Sequence, residues 1–443
     1  MMMRRGPLLV PLENLACAAL LLFFSIQGAI PGIAPTQAYE VTAAASTPLS
    51  TVGGIVSQAI ANGIILLLIL RHPRLILRQI VDVPGPALFA MLAIASCTWS
   101  LDPWLTMRRS VPFALAGLFG LYFSGRFTVA RQFAILRLAL LTAALATVAL
   151  VLLFPSVGLD HSAGHSADWQ GIFTQKNACG RIMVLATAVL LFGERLTPSR
   201  VACLSLFLFI LAKSGSRGAW IVEVSVLLLW ALFILARHSG ARIRVLLGLS
   251  APVLALAIAS GGMFLYPRIA PILGRDATLS GRTAIWAQVM QCIGLRPWFG
   301  YGYGAFWRGM EGPSSQISAA VHFIVVHAHN GFLEIALELG AAGLVLFALS
   351  GIRAWIQLWP AWQRGELDRV AWPMAILVLI VLYDLDENTL LIYNGLFWIL
   401  FVGASACAAR IASDCHHTAP RPARAILNAQ RTPLGSVAAQ EVS

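Results

Sequence analysis

The sequence predicts an all-α polytopic membrane protein with about 12 transmembrane helices. Of its 443 residues, 58% are hydrophobic and only 11% are charged, and the mean hydropathy is +0.79. This composition excludes a soluble globular protein of ordinary type. Apolar runs of roughly 15 to 22 residues recur along the chain, close to the ~20 residues that cross a bilayer as a helix.

The predicted spans follow one another along most of the chain. They are 14–32, 52–70, 84–100, 111–125, 133–154, 181–194, 201–214, 218–236, 243–264, 331–352, 372–386 and 391–409. The runs 84–100 and 201–214 are short or interrupted, which is typical of tilted, half-buried or re-entrant segments. The first run, which follows Arg4 and Arg5, also has the pattern of a signal peptide, with Thr36-Gln37-Ala38 as a cleavage site. Both interpretations place the next residue outside.

The distribution of positive charge predicts the orientation. With twelve spans and the N-terminus inside, 20 of the 31 Lys and Arg residues lie in cytoplasmic segments. This positive-inside bias predicts that both termini are cytoplasmic. The net charge of +12 therefore reflects the membrane surface, and we expect no nucleic-acid partner.

The chain is predicted to form a single integral-membrane domain over 1–409, followed by a disordered cytoplasmic tail at 410–443. Its longest polar stretch, 265–330, lies between the ninth and tenth spans and is predicted to be a large periplasmic loop. Within this loop, Ile285, Val289 and Ile293 share one face at helical spacing. They predict an amphipathic helix at the membrane interface.

The remaining cations lie on the predicted outer face. Arg282 lies at the start of the amphipathic helix, where an anion bound by the helix end would offset its unfavourable interaction with the macrodipole. Arg217, in "SGSRGAW", lies at an outer helix end. Simple pairing of either arginine with lipid phosphate is the alternative. Lys176 with Asn177, and Arg108 with Arg109, are weaker candidates on the same face.

The segment "RPWFGYGYGAFW" alternates glycine with aromatic residues. Glycine allows the backbone to approach a ligand closely, and aromatic rings offer flat faces to a sugar. Tyr301 and Tyr303 are therefore candidate glycan contacts. An interfacial aromatic belt explains the same pattern equally well.

The stretch "VVHAHNGFLEIALELG" carries polar groups into the tenth span. Asn330, Glu334 and Glu338 share one helix face, and His329 stands at its start. A histidine at the aqueous boundary can act as a general base. Two alternatives remain: a structural histidine that caps the helix, and a metal site formed by His322, His327 and His329. The metal site is weakened because no accompanying carboxylate motif is visible.

The motifs "FTQKNACG", "SGSRGAW", "LSGRTAIW", "RPWFGYGYGAFW" and "HAHNGFLEIALELGAAGLVLF" occur in this order on the twelve-span pattern. This ordered set resembles the O-antigen ligase/polymerase (Wzy/WaaL-like) family, and most of all the exopolysaccharide polymerases of the ExoQ type. The resemblance covers roughly residues 90–400.

The resemblance implies a metal-independent glycosyltransferase of the GT-C-like membrane class without a cofactor. It would transfer glycan from undecaprenyl pyrophosphate at the periplasmic face of a bacterial inner membrane. The family's essential residues carry over onto Arg217, Arg282 and His329. Substrate contacts carry over onto Lys176, Asn177, Arg108, Arg109, Tyr301 and Tyr303. We expect His327, Asn330 or Glu334 to orient the imidazole and to lie with the substrate.

Polymerase and ligase share a donor and differ in the acceptor, which is a lipid-linked repeat unit or a lipid A core. The "WSLDP", Arg-Arg and "GYGYG" patterns favour the polymerase. Membrane lipid, a chain-length regulator and a flippase of the same pathway are the expected partners. A lipid or oligosaccharide transporter would also explain outward arginines, although no internal symmetry of the transporter type is visible.

Overall fold

The computed structural model describes residues 9–29, 48–161, 168–193, 197–269 and 282–418. Within these ranges the chain is built of helices joined by turns. The helices are α1 (Leu9–Ser25), α2 (Pro48–Leu70), α3 (Pro73–Asp82), α4 (Pro84–Ala95), α5 (Pro103–Arg126), α6 (Val129–Leu153), α7 (Pro155–Gly158), α8 (Lys176–Gly193), α9 (Pro198–Lys213), α10 (Arg217–Arg237), α11 (Ala241–Ile269), α12 (Arg282–Leu295), α13 (Ser314–Val321), α14 (Gly331–Arg364), α15 (Leu367–Asp386) and α16 (Leu396–Thr418).

The chain is an all-α polytopic membrane protein. Each predicted span overlaps one of these helices. Among the described residues, seven helices are long and apolar enough to cross a membrane, and eight if α3 and α4, bent by 98°, form one broken span. This bend agrees with the interrupted character of the run 84–100. The total of twelve spans stays a prediction.

The helices differ in how much of their apolar surface other helices cover. In the most apolar stretches of α8 and α16, 83% and 72% of the residues are buried, whereas the figure is 17% for both α2 and α11. The centre of the bundle therefore contains α8 and α16, and α2 and α11 present apolar side chains outward, as lipid contact requires. Helix α16 continues to Thr418, so the predicted start of the tail at 410 is corrected. The rest of the tail lies outside the described residues.

Helix α14 is broken near the site. Gly340 has φ 67° and ψ −162°. These angles lie outside the helical region, and only glycine adopts them readily. At the break the loop before α13 joins the helix: the N–H groups of Tyr301 and Gly302 donate to the carbonyls of Leu337 and Glu338, both at 2.9 Å. The loop therefore satisfies backbone groups that the break would otherwise leave unpaired.

Helix α12 lies in the stretch where the sequence predicts an amphipathic helix. Ile285 and Val289 are fully buried on the predicted face, whereas Met290 is exposed. The helix packs against α14 and α13, so its apolar stripe faces protein.

Candidate active site

Glu387, directly after α15, is the centre of a polar cluster. Its carboxylate is only 4% exposed and accepts hydrogen bonds from Asn177 Nδ2 and Arg282 Nη2, both at 3.1 Å. The Nδ1 atom of His329 lies 3.2 Å away. Burial by itself would raise the pKa of this carboxyl group, but His329, His327 and Arg282 outweigh it and hold the pKa well below its ordinary range. An anionic carboxylate thus joins three residues that the sequence had singled out.

Asp386 binds the same arginine from the other side. Arg282 Nη1 donates to Asp386 Oδ1 at 2.6 Å and to its carbonyl at 2.7 Å. Asp386 also lies against the start of α10, because a Cβ added to Gly218 would stand 1.8 Å from its Oδ2. The first turn of α10, which begins with the half-buried Arg217, is therefore next to the arginine–carboxylate cluster.

His329 is held in an unusual backbone conformation. Its φ is 50°, in the left-handed region that non-glycine residues rarely occupy. Its N–H donates to His327 Nδ1 at 3.2 Å, and the two ring centroids are 4.0 Å apart. Burial, together with the neighbouring His329, lowers the pKa of His327 to about 3, so this ring is neutral. Since Glu387 contacts Nδ1 of His329, the other ring nitrogen, Nε2, can serve a substrate.

Asn330 and Glu334 fix the segment that carries the histidines. Asn330 caps α14 by accepting from the N–H of Leu333 at 3.0 Å. Glu334 accepts from Trp307 Nε1 at 2.7 Å and from the N–H of Ala328 at 2.8 Å. The expectation that one of these two side chains orients the imidazole is corrected, because the carboxylate after α15 makes that contact.

A polar cleft of about 150 Å³ opens beside this cluster. Its titratable lining residues are Arg109, Arg181, Tyr303, His327, Glu334, Glu338, Glu387 and Tyr393. The predicted Arg108–Arg109 pair is divided: Arg108 is exposed, whereas Arg109 is buried and donates to the carbonyl of Gly304. Arg181, on the second turn of α8, is also buried and donates to the carbonyl of Asn388 at 3.3 Å.

The tyrosines of "GYGYG" are packed inside the protein. The hydroxyl groups of Tyr301 and Tyr303 donate to main-chain carbonyls at 2.9 and 2.7 Å, and both rings are buried. The expectation of open ring faces is therefore wrong for these two residues, although the edge of Tyr303 reaches the cleft. Trp298 and Phe299 are the exposed aromatic residues of the segment.

Lys176 and Asn177 begin α8 but point to different partners. Lys176 Nζ pairs with Asp168 at 2.8 Å, and Asn177 reaches Glu387. Asn177 therefore belongs to the cluster around Glu387, whereas Lys176 forms a neighbouring ion pair; their role as substrate contacts stays a prediction.

Three groups in the cluster could hold a metal ion. One ligand atom each from His327, His329 and Glu387 lies within 4.8 Å of the others. The sequence shows no carboxylate motif beside the histidines, but the fold brings the Glu387 carboxylate to His327 and His329, while His322 lies outside this group of three. The Arg282 guanidinium, bound to the same carboxylate, competes with a cation for it.

The sequence analysis missed Asp386, Glu387 and the role of Arg181. A signal was present, because the segment "YDLDENTLL" places three carboxylates at the junction of the last two predicted spans. In a chain with only 19 Asp and Glu residues, acidic groups at a membrane boundary indicate a functional site.

The fold and the site define a polytopic membrane protein with a charged cleft between helix ends. Residues 202–348, which contain Arg217, Arg282 and His329, match the family model described as O-Antigen ligase. A stretch of 102 residues is 31% identical to the Exopolysaccharide production protein ExoQ of Rhizobium meliloti (strain 1021). That match covers 22% of this chain and 21% of the relative, so the chain spans about a fifth of the length of this curated protein. The two matches confirm the resemblance to the O-antigen ligase/polymerase family.

Proposed function

We propose that this protein is a polysaccharide polymerase of the bacterial inner membrane. It transfers glycan from undecaprenyl pyrophosphate to a sugar hydroxyl of a lipid-linked repeat unit at the periplasmic face. The observation that carries the proposal is the contact between His329 and Glu387, with Arg282 bound to the same carboxylate. One cluster thus contains the proposed base, the carboxylate that orients it and a cation for the leaving phosphate.

In the proposed reaction, Nε2 of His329 removes the proton from the acceptor hydroxyl as its oxygen attacks the anomeric carbon. The bond between that carbon and the pyrophosphate oxygen breaks, and its electron pair leaves with undecaprenyl pyrophosphate. Arg282 and Arg217 stabilise the negative charge that develops. Arg282 uses three of its five N–H donors on Asp386 and Glu387, so its remaining donors can bind phosphate. The chemistry proposed here needs neither a metal ion nor a cofactor.

A lipid-linked donor also agrees with the apolar surface beside the site. A groove of about 520 Å³ lies between α11, α14, α15 and α16 and is lined almost wholly by carbon. Phe332, which lines this groove, is three residues from His329 along the chain. A polyprenyl chain in the groove would bring its pyrophosphate to the helix ends.

The ligase is the second candidate, because the matching family model is described as O-Antigen ligase. In that reaction the acceptor is a lipid A core and the donor and residues are the same. A chain-length regulator and a flippase of the same pathway are proposed partners of either enzyme.

The test is polymer formation by purified protein in liposomes, supplied with an undecaprenyl pyrophosphate-linked repeat and a chelator. Long chains from the wild type support a metal-independent polymerase. Arg282→Ala and His329→Ala should lose activity, by about 10²- to 10⁴-fold for the base, whereas the exposed Arg242→Ala serves as the control.

Product only with a lipid A core acceptor would establish the ligase. Loss of activity with chelator, restored by a divalent metal, would assign the histidines to a metal. Donor binding without transfer to either acceptor would direct attention to transport.

A further inference from the structure

The cleft contains a second polar group of residues that the proposed chemistry does not use. Glu338 lies one helical turn beyond Glu334 on α14, and Asn394 lies in the segment before α16; both line the same cleft as His327 and Glu387. Each of Glu338 and Asn394 is only 4% exposed. Both are therefore buried polar residues of the cleft wall, and we call the part of the cleft that they line the inner end.

Both residues have an unsatisfied oxygen. Oε2 of Glu338 and Oδ1 of Asn394 have no hydrogen-bond partner within the described part of the chain. A buried acceptor left without a donor costs about 1–3 kcal/mol, and more if it is charged. Such groups are uncommon in folded proteins and call for an explanation. Two unsatisfied acceptors on one cleft indicate a ligand that supplies hydrogen-bond donors, and Nε of Arg181 on the same cleft, which also has no hydrogen-bond partner within the described residues, indicates that the ligand supplies an acceptor as well.

The surrounding structure holds the Glu338 carboxyl group in place. The N–H of Gly304 donates to it, the N–H of Gly302 binds its carbonyl, and the Gly304 carbonyl accepts from Arg109. One carboxyl oxygen is thus engaged by the "GYGYG" segment, while the other remains for a ligand. This arrangement is preorganised, as a specific binding site requires.

The chemistry of the inner end selects the ligand class. The cleft is lined by Arg109 and Arg181 as well as by Glu334 and Glu338, so its lining combines both kinds of group, and we place the donor's pyrophosphate at Arg282 and Arg217. Acceptor oxygens on Glu338 and Asn394 match the hydroxyl groups of an uncharged sugar. The cleft as a whole, including the part lined by His327 and Glu387, has a volume of about 150 Å³.

We propose that the inner end of the cleft is the subsite for the acceptor sugar, with Glu338 and Asn394 binding two of its hydroxyl groups. This inference rests on the proposed function. It assigns the histidine end of the cleft to the reacting hydroxyl and the inner end to recognition of the ring that carries it. Glu338 and Asn394 then determine which acceptor sugar is used.

The experiment measures transfer with the donor saturating and the acceptor varied, for wild type, Glu338→Gln and Asn394→Ala. We expect Glu338→Gln to raise the acceptor KM by about 3- to 10-fold, since the amide offers one acceptor oxygen where the carboxyl group offers two, with kcat and the donor KM within about 2-fold. The matched control is Glu223→Gln, the same change at a carboxyl group on α10 that is 5% exposed and outside the cleft. An acceptor lacking the recognised hydroxyl should react poorly with the wild type and no worse with Glu338→Gln.

Failure of this inference is distinguishable from failure of the proposed function. If the wild type transfers glycan and both variants keep its acceptor KM, the subsite is wrong and the function stands. If the wild type transfers to no acceptor, the function is wrong. Calorimetric binding of the free repeat-unit oligosaccharide to wild type and Glu338→Gln then decides whether the inner end binds sugar. Equal affinities would overturn the subsite. A variant that aggregates is replaced by Asn394→Ala, for which the same outcomes apply.

Discussion

At the scale of single residues, the contact between His329 and Glu387 has the largest consequence. A carboxylate on Nδ1 fixes the ring and stabilises the positive charge that the ring gains with a proton. Glu387 is also bound to Arg282, so the same anion positions the base and the cation expected at the leaving group. Loss of Glu387 should therefore affect both halves of the reaction.

Glu387→Gln keeps the size of the side chain and removes its charge. We expect kcat to fall by about 10²- to 10⁴-fold, because the imidazole loses the anion that holds it in the productive orientation. Steady-state transfer rates measure this, with the exposed Glu311→Gln as control. Donor affinity is measured in parallel, since a variant that lost only donor binding would contradict the positioning role.

His327 should make the fold sensitive to mild acid. Its pKa is lowered from 6.5 to about 3, so the fold favours the neutral ring and the unfolded chain takes up the proton first. The contribution of His327 to the free energy of unfolding is complete above pH 6.5. It is lost as the pH falls towards 3, by about 1.4 kcal/mol per pH unit. The titratable groups facing the ring are His329, Glu387, Arg181 and Arg282.

The measurement is the melting temperature in detergent at pH 7.5 and 5.5. His327→Gln should reduce the loss of stability between these values, whereas the exposed His238→Gln should leave it unchanged. Glu387 acts in the same direction only below its ordinary pKa of 4.5. Identical pH dependence in wild type and His327→Gln would refute the burial of a neutral ring.

At the scale of helices, glycines decide how closely the functional elements approach one another. Gly218 lets the start of α10 lie against Asp386, and Gly340 breaks α14 so that the outer loop can bind its open backbone groups. In both positions a methyl group would occupy space that another atom needs.

Gly218→Ala should move Asp386, and with it Arg282, away from the positions described. A displacement of about 1 Å in such a site can lower the rate by about 10²-fold, so we expect a loss of kcat/KM on that order with little change in melting temperature. Gly351→Ala, where an added Cβ meets nothing within 4 Å, is the matched control. Wild-type activity in Gly218→Ala would mean that Asp386 has no role in positioning Arg282.

Gly340→Ala should destabilise the protein itself. The left-handed backbone costs a non-glycine residue about 1–3 kcal/mol, and the new Cβ would stand 2.3 Å from the backbone of Trp298. Thermal unfolding in detergent should show a lower melting temperature than in Gly351→Ala, in which alanine in place of glycine favours the helix. Equal stability of the two variants would show that the break is not fixed by Gly340.

At the scale of the whole molecule, the proposed reaction requires that the outer loop and the cluster face the periplasm. We expect a membrane-impermeant thiol reagent to label Glu311→Cys in intact spheroplasts, and to label Arg242→Cys only after the membrane is opened. Both positions are exposed, and the partly exposed Cys97, Cys203 and Cys415 are first changed to serine. The reverse pattern would place the site on the cytoplasmic side and contradict the proposed donor.

The sequence by itself determined the class of fold and part of the site. The apolar runs predicted the helices because a bilayer-spanning helix needs about 20 apolar residues whatever surrounds it. The cations and histidines on the predicted outer face made Arg217, Arg282 and His329 candidate site residues, because polar groups at a membrane boundary are costly unless they have a function.

Only the tertiary structure decided which partners these residues have. Glu387 lies 58 residues from His329, 105 from Arg282 and 210 from Asn177 along the chain, so no local pattern could connect them. Packing likewise buried Tyr301 and Tyr303, separated Arg108 from Arg109, and left Glu338 and Asn394 facing one cleft. These are long-range contacts, and their geometry depends on how the helices pack around the break at Gly340 rather than on the periodicity of any one segment.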